Sequence, residues 1–147
     1  MSVTFCGHGD ISYNDEIKHK LQTEIENVIK DGETDFLLGG YGRFDLLAAH
    51  TLKILKSEYP QIKSMLVLPY INKEYDTALY DESIYPPLEK VHKRVAIIKR
   101  NEWAVNEANI VIAYVDHDWG GAAKTLKYAV KRKKDIRNIS RCNVTTE

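Results

Sequence analysis

The chain has 147 residues, of which 44% are hydrophobic, and its 21 Lys and Arg residues balance 21 Asp and Glu residues. A chain of this length fits one domain with one core, and its zero net charge gives no general attraction to nucleic acid or to an anionic membrane. It has no apolar run of the roughly 20 residues needed to span a bilayer, no signal-peptide pattern at its start and two cysteines without metal-site spacing. We therefore expect a reduced, cytoplasmic protein that does not contact a membrane.

The first part of the chain predicts a strand followed by an amphipathic helix. Residues 2–6 are apolar and β-branched, and they end at a polar loop that contains Gly7 and His8. Apolar residues then recur at helical spacing over residues 14–31, with acidic residues in the first turn and Gly32 just beyond the end.

Residues 35–49 carry the strongest single signal. A short apolar strand, residues 35–38, passes through a Gly-Gly-Tyr-Gly turn into a helix predicted over residues 44–58. Glycines between a strand and a helix leave backbone N–H groups and the positive end of the helix dipole at one point, which favours an anion such as phosphate. The spacing matches neither the dinucleotide fingerprint nor a P-loop, so a tight turn that needs glycine for steric reasons is the alternative.

The middle of the chain predicts a buried strand followed by an irregular segment. Residues 63–69 form a continuous apolar run, which is typical of a parallel strand buried on both faces. Residues 70–93 are rich in Tyr, Asp and Glu and predict a long loop, a candidate lid over a site. Its tyrosines either stack on a base, contact a partner subunit or anchor the loop.

The last third of the chain repeats the order of a helix, a strand, a glycine turn and a helix. A helix is predicted over residues 95–108, with Asn101 on its apolar stripe, and a buried strand over residues 109–115. A polar loop with a second Gly-Gly leads into a helix over residues 122–133 and a short strand over residues 136–139. The sequence therefore predicts one α/β domain, residues 1–140, with a Rossmann-like, mostly parallel sheet of about five strands, helices on both faces, and a tail at 141–147.

Four predicted strand ends carry polar or glycine-rich sequence. Ligands of open parallel sheets bind outside the carboxyl ends of the strands, so these loops are expected to converge on one site. There, arginines offer charge-assisted bonds to phosphate, and a base can stack on Tyr41 or Trp119. The candidate ligand-binding residues are Gly7, His8, Gly39, Gly40, Tyr41, Gly42, Arg43, Pro69, Arg100, Asn101, Asp116, Trp119, Gly120, Gly121, Ala122 and Lys124.

The sequence resembles the SLOG superfamily of Rossmann-like proteins, and within it the YpsA-like branch. The resemblance is carried by Gly39-Gly40 before a helix, by Lys56-Ser-Glu-Tyr-Pro60 before an apolar strand that ends in Pro69, and by Lys99-Arg-Asn-Glu-Trp103 before the penultimate strand. It covers nearly the whole chain except the tail. It implies a nucleotide or nucleotide-derived ligand at the glycine turns and a homodimer or larger assembly.

Within the superfamily, the Lonely Guy phosphoribohydrolases use an arginine and a glutamate to hydrolyse an N-glycosidic bond. Arg100 is similar in position to that arginine, but the position of the glutamate holds Lys127 or, with a shift of one residue, Tyr128. Because glycosidic cleavage requires an acid/base group or an activated water, this departure disfavours that activity.

Two hypotheses follow. The first is a module that binds or senses a nucleotide-like molecule. The alternative is a nucleotide N-glycoside hydrolase in which Arg100, Glu102 and Asp116 are catalytic, with Asp118 as a further candidate acid/base. A nucleic-acid accessory role, by analogy with the DNA-processing protein A core, is weaker. No cofactor and no metal are expected, since Asp116, His117 and Asp118 alternate along an extended loop and face opposite ways.

Overall fold

The computed structural model describes residues 2–9, 12–70, 74–88 and 90–140, so the predicted tail lies outside the described residues. The described strands are β1 (Ser2–Gly7), β2 (Asp35–Leu38), β3 (Lys63–Val67), β4 (Glu82–Ile84), β5 (Ile110–Tyr114) and β6 (Asp135–Asn138). The helices are α1 (Asp15–Lys30), α2 (Arg43–Leu55), α3 (Ala96–Glu107) and α4 (Gly121–Lys131), with a short 3-10 turn at Lys93–Val95 before α3. Among these described residues, no helix is both long and apolar enough to cross a membrane.

The six strands form one parallel sheet in the order β4-β3-β2-β1-β5-β6. The chain builds outward from β1 through β2 to β4, and then crosses to the other side of β1 to add β5 and β6. The carboxyl ends of β1 and β5 therefore form a topological switch point, where the loops on either side leave a crevice. The Rossmann-like α/β prediction is confirmed.

The sixth strand, β4, corrects the prediction of about five strands. It pairs with β3 through Met65–Glu82 and Val67–Ile84 in the segment predicted as a loop. Glu82 and Ser83 are exposed, and a short polar strand at a sheet edge is a common way to discourage further pairing. Such a strand has no apolar run, so no sequence signal distinguishes it from a loop.

Two helices pack on each face of the sheet. Val3 and Phe5 of β1 point into a core with α1 and α2, whereas Cys6 points into a second core with α3 and α4. This follows from the alternation of side chains along a strand. The α1 helix begins where the Asn14 side chain accepts a hydrogen bond from the N–H of Ile17 at 2.9 Å, a favourable N-cap.

Candidate functional site

A cavity of about 610 Å³ lies at the carboxyl ends of β1 and β5, at the switch point of the sheet. This volume is in the range of small-molecule sites. Of the predicted ligand-binding residues, it is lined by Gly7, His8, Gly39, Tyr41, Gly42, Arg100, Asn101, Trp119, Gly120, Gly121 and Ala122. The predicted residues that do not line it are Gly40, Arg43, Pro69, Asp116, Lys124 and the catalytic candidate Glu102.

In the first glycine turn, the backbone N–H groups already bind a carboxylate of the protein itself, that of Asp45. The N–H of Gly39 donates to Oδ2 of Asp45 at 2.7 Å, and the N–H groups of Gly40 and Tyr41 also hydrogen-bond this carboxylate. Asp45 stands in the first turn of α2 and lines the cavity. Asp45 was not among the site residues predicted from the sequence, although an acidic residue just after a glycine turn is a signal for such a contact.

Close packing explains why glycine is needed in the first turn and at the end of β1. Gly42 has a φ of +91°, and a Cβ on it would lie 2.9 Å from Cα of Gly9. A Cβ on Gly7 would lie 2.3 Å from ring atoms of Phe44, a fully buried core residue. The steric reason for glycine therefore holds here whether or not a ligand approaches.

Arg100 is buried, lines the cavity and hydrogen-bonds the ends of two strands. Its Nη1 donates to the carbonyl oxygens of Gly39 and Val67, both at 3.0 Å, and its Nε donates to Oδ1 of Asn101 at 2.8 Å. Asn101 thus finds the hydrogen bond that its place on the apolar stripe required. These bonds join α3 to the ends of β2 and β3, so the guanidinium has a structural task beside any contact with a ligand.

Asp45 and Arg100 form a desolvated pair of opposite charges. Desolvation raises the pKa of Asp45 to about 6, although the nearby Arg100 and the turn N–H groups oppose this rise. Burial lowers the pKa of Arg100, and Asp45 opposes this change. Asp45 is therefore the carboxylate of the cavity whose protonation changes near neutral pH.

The segment predicted as a lid packs beside the first turn. Burial raises the pKa of Tyr80 to about 12, with a further contribution from the charge of Asp45. The Tyr80 hydroxyl would lie 3.5 Å from a Cβ on Gly40. Its oxygen is buried and has no hydrogen-bond partner among the residues that the structure describes. Tyr80 therefore anchors this part of the segment, one of the alternatives for its tyrosines.

The second glycine turn differs from the first in being open. Gly120 has a φ of +92° and is the N-cap of α4, and neither Gly120 nor Gly121 has an atom within 4 Å of the position of an added Cβ. In the described part of the chain, no side chain caps this helix. The positive end of α4 therefore faces the cavity without an internal carboxylate of the kind that fills the first turn.

Three aromatic rings stack between the sheet and the mouth of the cavity. The ring centroids of His8 and His117 are 3.7 Å apart with planes inclined by 10°, and those of His117 and Trp119 are 3.7 Å apart with planes inclined by 21°. His8 is buried, and its Nε2 accepts the N–H of Asp116 at 3.0 Å. His8 and Trp119 were predicted separately as ligand-binding residues, but no signal in the sequence indicated that His117 would stack between them.

His8, Asp116 and His117 lie close together but do not have the geometry of a metal centre. Ligand atoms of His8, Asp116 and His117 lie within 4.8 Å of one another. A ring nitrogen binds a metal in the plane of its imidazole, however, and the two rings are nearly parallel and stacked face to face. The lone pairs of the two imidazole rings therefore cannot both point at one ion, and this geometry disfavours a metal site here. That the protein binds no metal remains a prediction.

Comparisons with known proteins agree with the fold. A UPF0398 protein of Bacillus thuringiensis is 24% identical over 137 residues, which cover 83% of this chain and 73% of that protein. The DNA processing protein A of Helicobacter pylori, whose structure addresses its single-stranded DNA binding mode, has a TM-score of 0.62 and 16% identity, with coverage of 92% and 63%. The Moco carrier protein of Chlamydomonas reinhardtii has a TM-score of 0.58 and 17% identity, with coverage of 95% and 76%.

The family is shown by a broader match. Residues 10–147 match the YpsA family model, whose description is "YspA SLOG family". The match includes both glycine turns and every described strand except β1, and it agrees with the resemblance found in the sequence. The chain belongs to the YpsA family of SLOG proteins.

Proposed function

We propose that the protein binds a nucleotide or a nucleotide-derived small molecule in the cavity between the two glycine turns. The observation that carries this proposal is the open N-terminus of α4 at a cavity whose mouth exposes two aromatic side chains, Tyr41 at 81% and Trp119 at 66%. A helix N-terminus favours a phosphate, and an exposed aromatic ring favours a base. The SLOG family and the Rossmann-like neighbours support a nucleotide-related ligand in general terms.

The phosphate is assigned to Gly120, Gly121 and Ala122 rather than to the first turn. At the first turn, Asp45 already accepts the N–H of Gly39, and a phosphate there would meet a like charge whenever Asp45 is ionised. Arg43, which was expected to assist the phosphate, donates instead to the hydroxyl of Ser12 at 2.9 Å on the surface. The second turn has no such competitor among the described residues.

Hydrolysis of an N-glycosidic bond is the second candidate function. The carboxylate of Glu102 accepts from Nζ of Lys99 at 3.4 Å outside the cavity. Asp116 does not line the cavity either, and its Oδ1 lies 3.1 Å from Nε2 of His8, the nitrogen that accepts the Asp116 N–H. The observation that favours an enzyme is Asp45, since a carboxyl group with a pKa of about 6 suits general acid catalysis. Its bonds to the turn N–H groups favour a structural role, so we place binding first.

Three further proposals concern partners, assembly and location. The zero net charge disfavours nucleic acid as a partner, but a structural neighbour is described by its single-stranded DNA binding mode; if nucleic acid binds, the exposed Lys124 and Lys131 on α4 are its candidate contacts. Lys131 also lies in the last turn of α4, where a cation complements the helix dipole. We also propose a homodimer or larger assembly and a cytoplasmic location.

The decisive experiment is mass spectrometry of small molecules released when the purified protein is denatured. An intact nucleotide supports binding, and a free base together with a ribose phosphate supports hydrolysis. If no small molecule is released, the test is calorimetric titration of the protein with AMP, GMP and UMP. No heat of binding with any of the three at millimolar concentration would contradict the proposal.

A further inference from the structure

We propose that the outer face of Trp119 is the platform on which the base of the nucleotide stacks, and that His117 is the positioning residue that holds this ring in place. The inference rests on the proposed function and specifies the part of the ligand that the cavity recognises. It chooses between Tyr41 and Trp119, which the sequence leaves open.

The stack is anchored in the sheet. The backbone N–H of His8 donates to the carbonyl oxygen of Tyr114 at 3.3 Å, which continues the pairing of β1 with β5. The ring of His8 is held by the N–H of Asp116 at 3.0 Å and meets the Tyr114 ring edge-on, with centroids 6.3 Å apart and planes at 88°. The innermost ring of the stack is therefore held by a ring at the end of β5 and by a backbone N–H two residues beyond that end.

The order of burial along the stack identifies its open end. His8 is 5% exposed, the side chain of His117 is 25% exposed, and Trp119 is 66% exposed. Because His117 covers one face of the indole at a centroid distance of 3.7 Å, most of the exposed surface belongs to the other face and the edges. Trp119 lines the cavity and immediately precedes Gly120, so a base on this face lies beside the phosphate assigned to α4.

Preorganisation favours Trp119 over Tyr41. The described residues provide no ring contact for Tyr41, which is 81% exposed. A free side chain must lose rotamer entropy when a ligand orders it. Trp119 has already lost much of that freedom to its stack with His117, so the same contact with a base yields more affinity at Trp119.

Stacking also predicts which ligands are accepted. Every base has a π-face, so recognition by stacking tolerates different bases. We therefore expect AMP, GMP and UMP to bind, with the purines tighter because of their larger rings, whereas ribose 5-phosphate should bind at least about tenfold more weakly because it offers no ring to stack.

The test uses a protein with a single tryptophan. The chain has two tryptophans, and Trp103 packs partly buried on α3 away from the cavity lining, so Trp103→Phe makes Trp119 the only indole. Titration of this variant with AMP should quench its fluorescence, and titration with ribose 5-phosphate should not. Quenching of equal size by both compounds would overturn the proposal.

Variants at the stack separate positioning from mere stability. Calorimetry with AMP should show an affinity loss of about tenfold or more for Trp119→Leu, a smaller loss for Tyr41→Leu, and near wild-type affinity for Trp119→Tyr and for the control Trp103→Phe, which lies outside the cavity lining. His117→Ala should weaken binding and His117→Phe should restore it, because phenylalanine can fill the same place in the stack. A thermal melt of each variant confirms that it is folded.

The outcomes distinguish this inference from the proposed function. If AMP binds the wild type but its affinity falls in Tyr41→Leu and not in Trp119→Leu, the base does not stack on Trp119, and the assignment of the ligand to the cavity still holds. If His117→Ala binds AMP as wild type does, His117 is not a positioning residue. If none of the three nucleotides binds the wild-type protein, the proposed function fails and the platform fails with it.

Discussion

Replacing Gly121 with alanine should make the protein more stable and its nucleotide binding weaker. Gly121 is the first residue of α4, its φ is not positive, and a Cβ on it meets no atom within 4 Å. Alanine at a compatible position lowers the conformational entropy of the unfolded chain and typically stabilises by about 0.4–1 kcal/mol. For a chain of this length, we expect a melting temperature about 2 °C higher.

The expected effect on binding has the opposite sign. If the phosphate lies on the N–H groups at the start of α4, the added methyl group intrudes on it. The affinity for AMP should then fall more than tenfold, a loss above about 1.4 kcal/mol. Because the variant is at least as stable as the wild type, the lost affinity cannot be attributed to unfolding.

The assay is calorimetric titration with AMP, together with thermal melts without ligand. Gly120→Ala and Gly32→Ala form a matched pair of controls, since both glycines have positive φ values, +92° and +104°, and both face open space. Each should cost about 1–2 kcal/mol of stability, but only Gly120 borders the cavity, so only its variant should lose affinity. Unchanged AMP affinity in Gly121→Ala, or an equal loss in Gly32→Ala, would refute the assignment of the phosphate to α4.

Four further predictions concern stability and assembly. Gly42→Ala should destabilise more than Gly120→Ala in chemical denaturation, because it adds a 2.9 Å clash with Gly9 to the same backbone strain; an equal loss would argue against the close packing. Arg100→Ala should lower the free energy of unfolding by about 3 kcal/mol, because the carbonyls of Gly39 and Val67 lose their donor and Asp45 loses the nearby positive charge; a smaller loss in urea denaturation would show that the guanidinium does not hold these elements together. The pKa of Asp45 is about 6 against an unperturbed 3.8, so the folded state holds this proton more tightly than the unfolded state does. The unfolding free energy of the wild type relative to Asp45→Asn should therefore fall by roughly 2.4 kcal/mol from pH 4 to pH 7, and a flat difference would contradict the shifted pKa. Light scattering should give the mass of a dimer or larger, and Ile54, which is 72% exposed on α2, is a candidate contact; a monomer mass at micromolar concentration would contradict it.

The sequence alone predicted the order of the main elements because their signals are local. Apolar runs and helical periodicity identified five of the described strands and all four helices, with ends that differ by at most three residues from the structure. Three of the four loops expected to converge line the cavity, since parallel strands joined by helices place their carboxyl ends at one edge, whereas Pro69 after β3 does not line it. The edge strand β4 was missed because Glu82 and Ser83 have no apolar pattern and pair only because β3 lies beside them.

The tertiary structure decided which of the two glycine turns can take an external anion. In sequence both are a strand, a polar loop with glycines and a helix. They differ because the carboxylate of Asp45 accepts the N–H of Gly39 in the first turn, whereas no carboxylate of the described residues accepts an N–H of the second turn. The stack of His8, His117 and Trp119 likewise joins residues more than 100 positions apart. Contacts of this kind depend on the packing of the whole sheet, and local propensity carries no information about them.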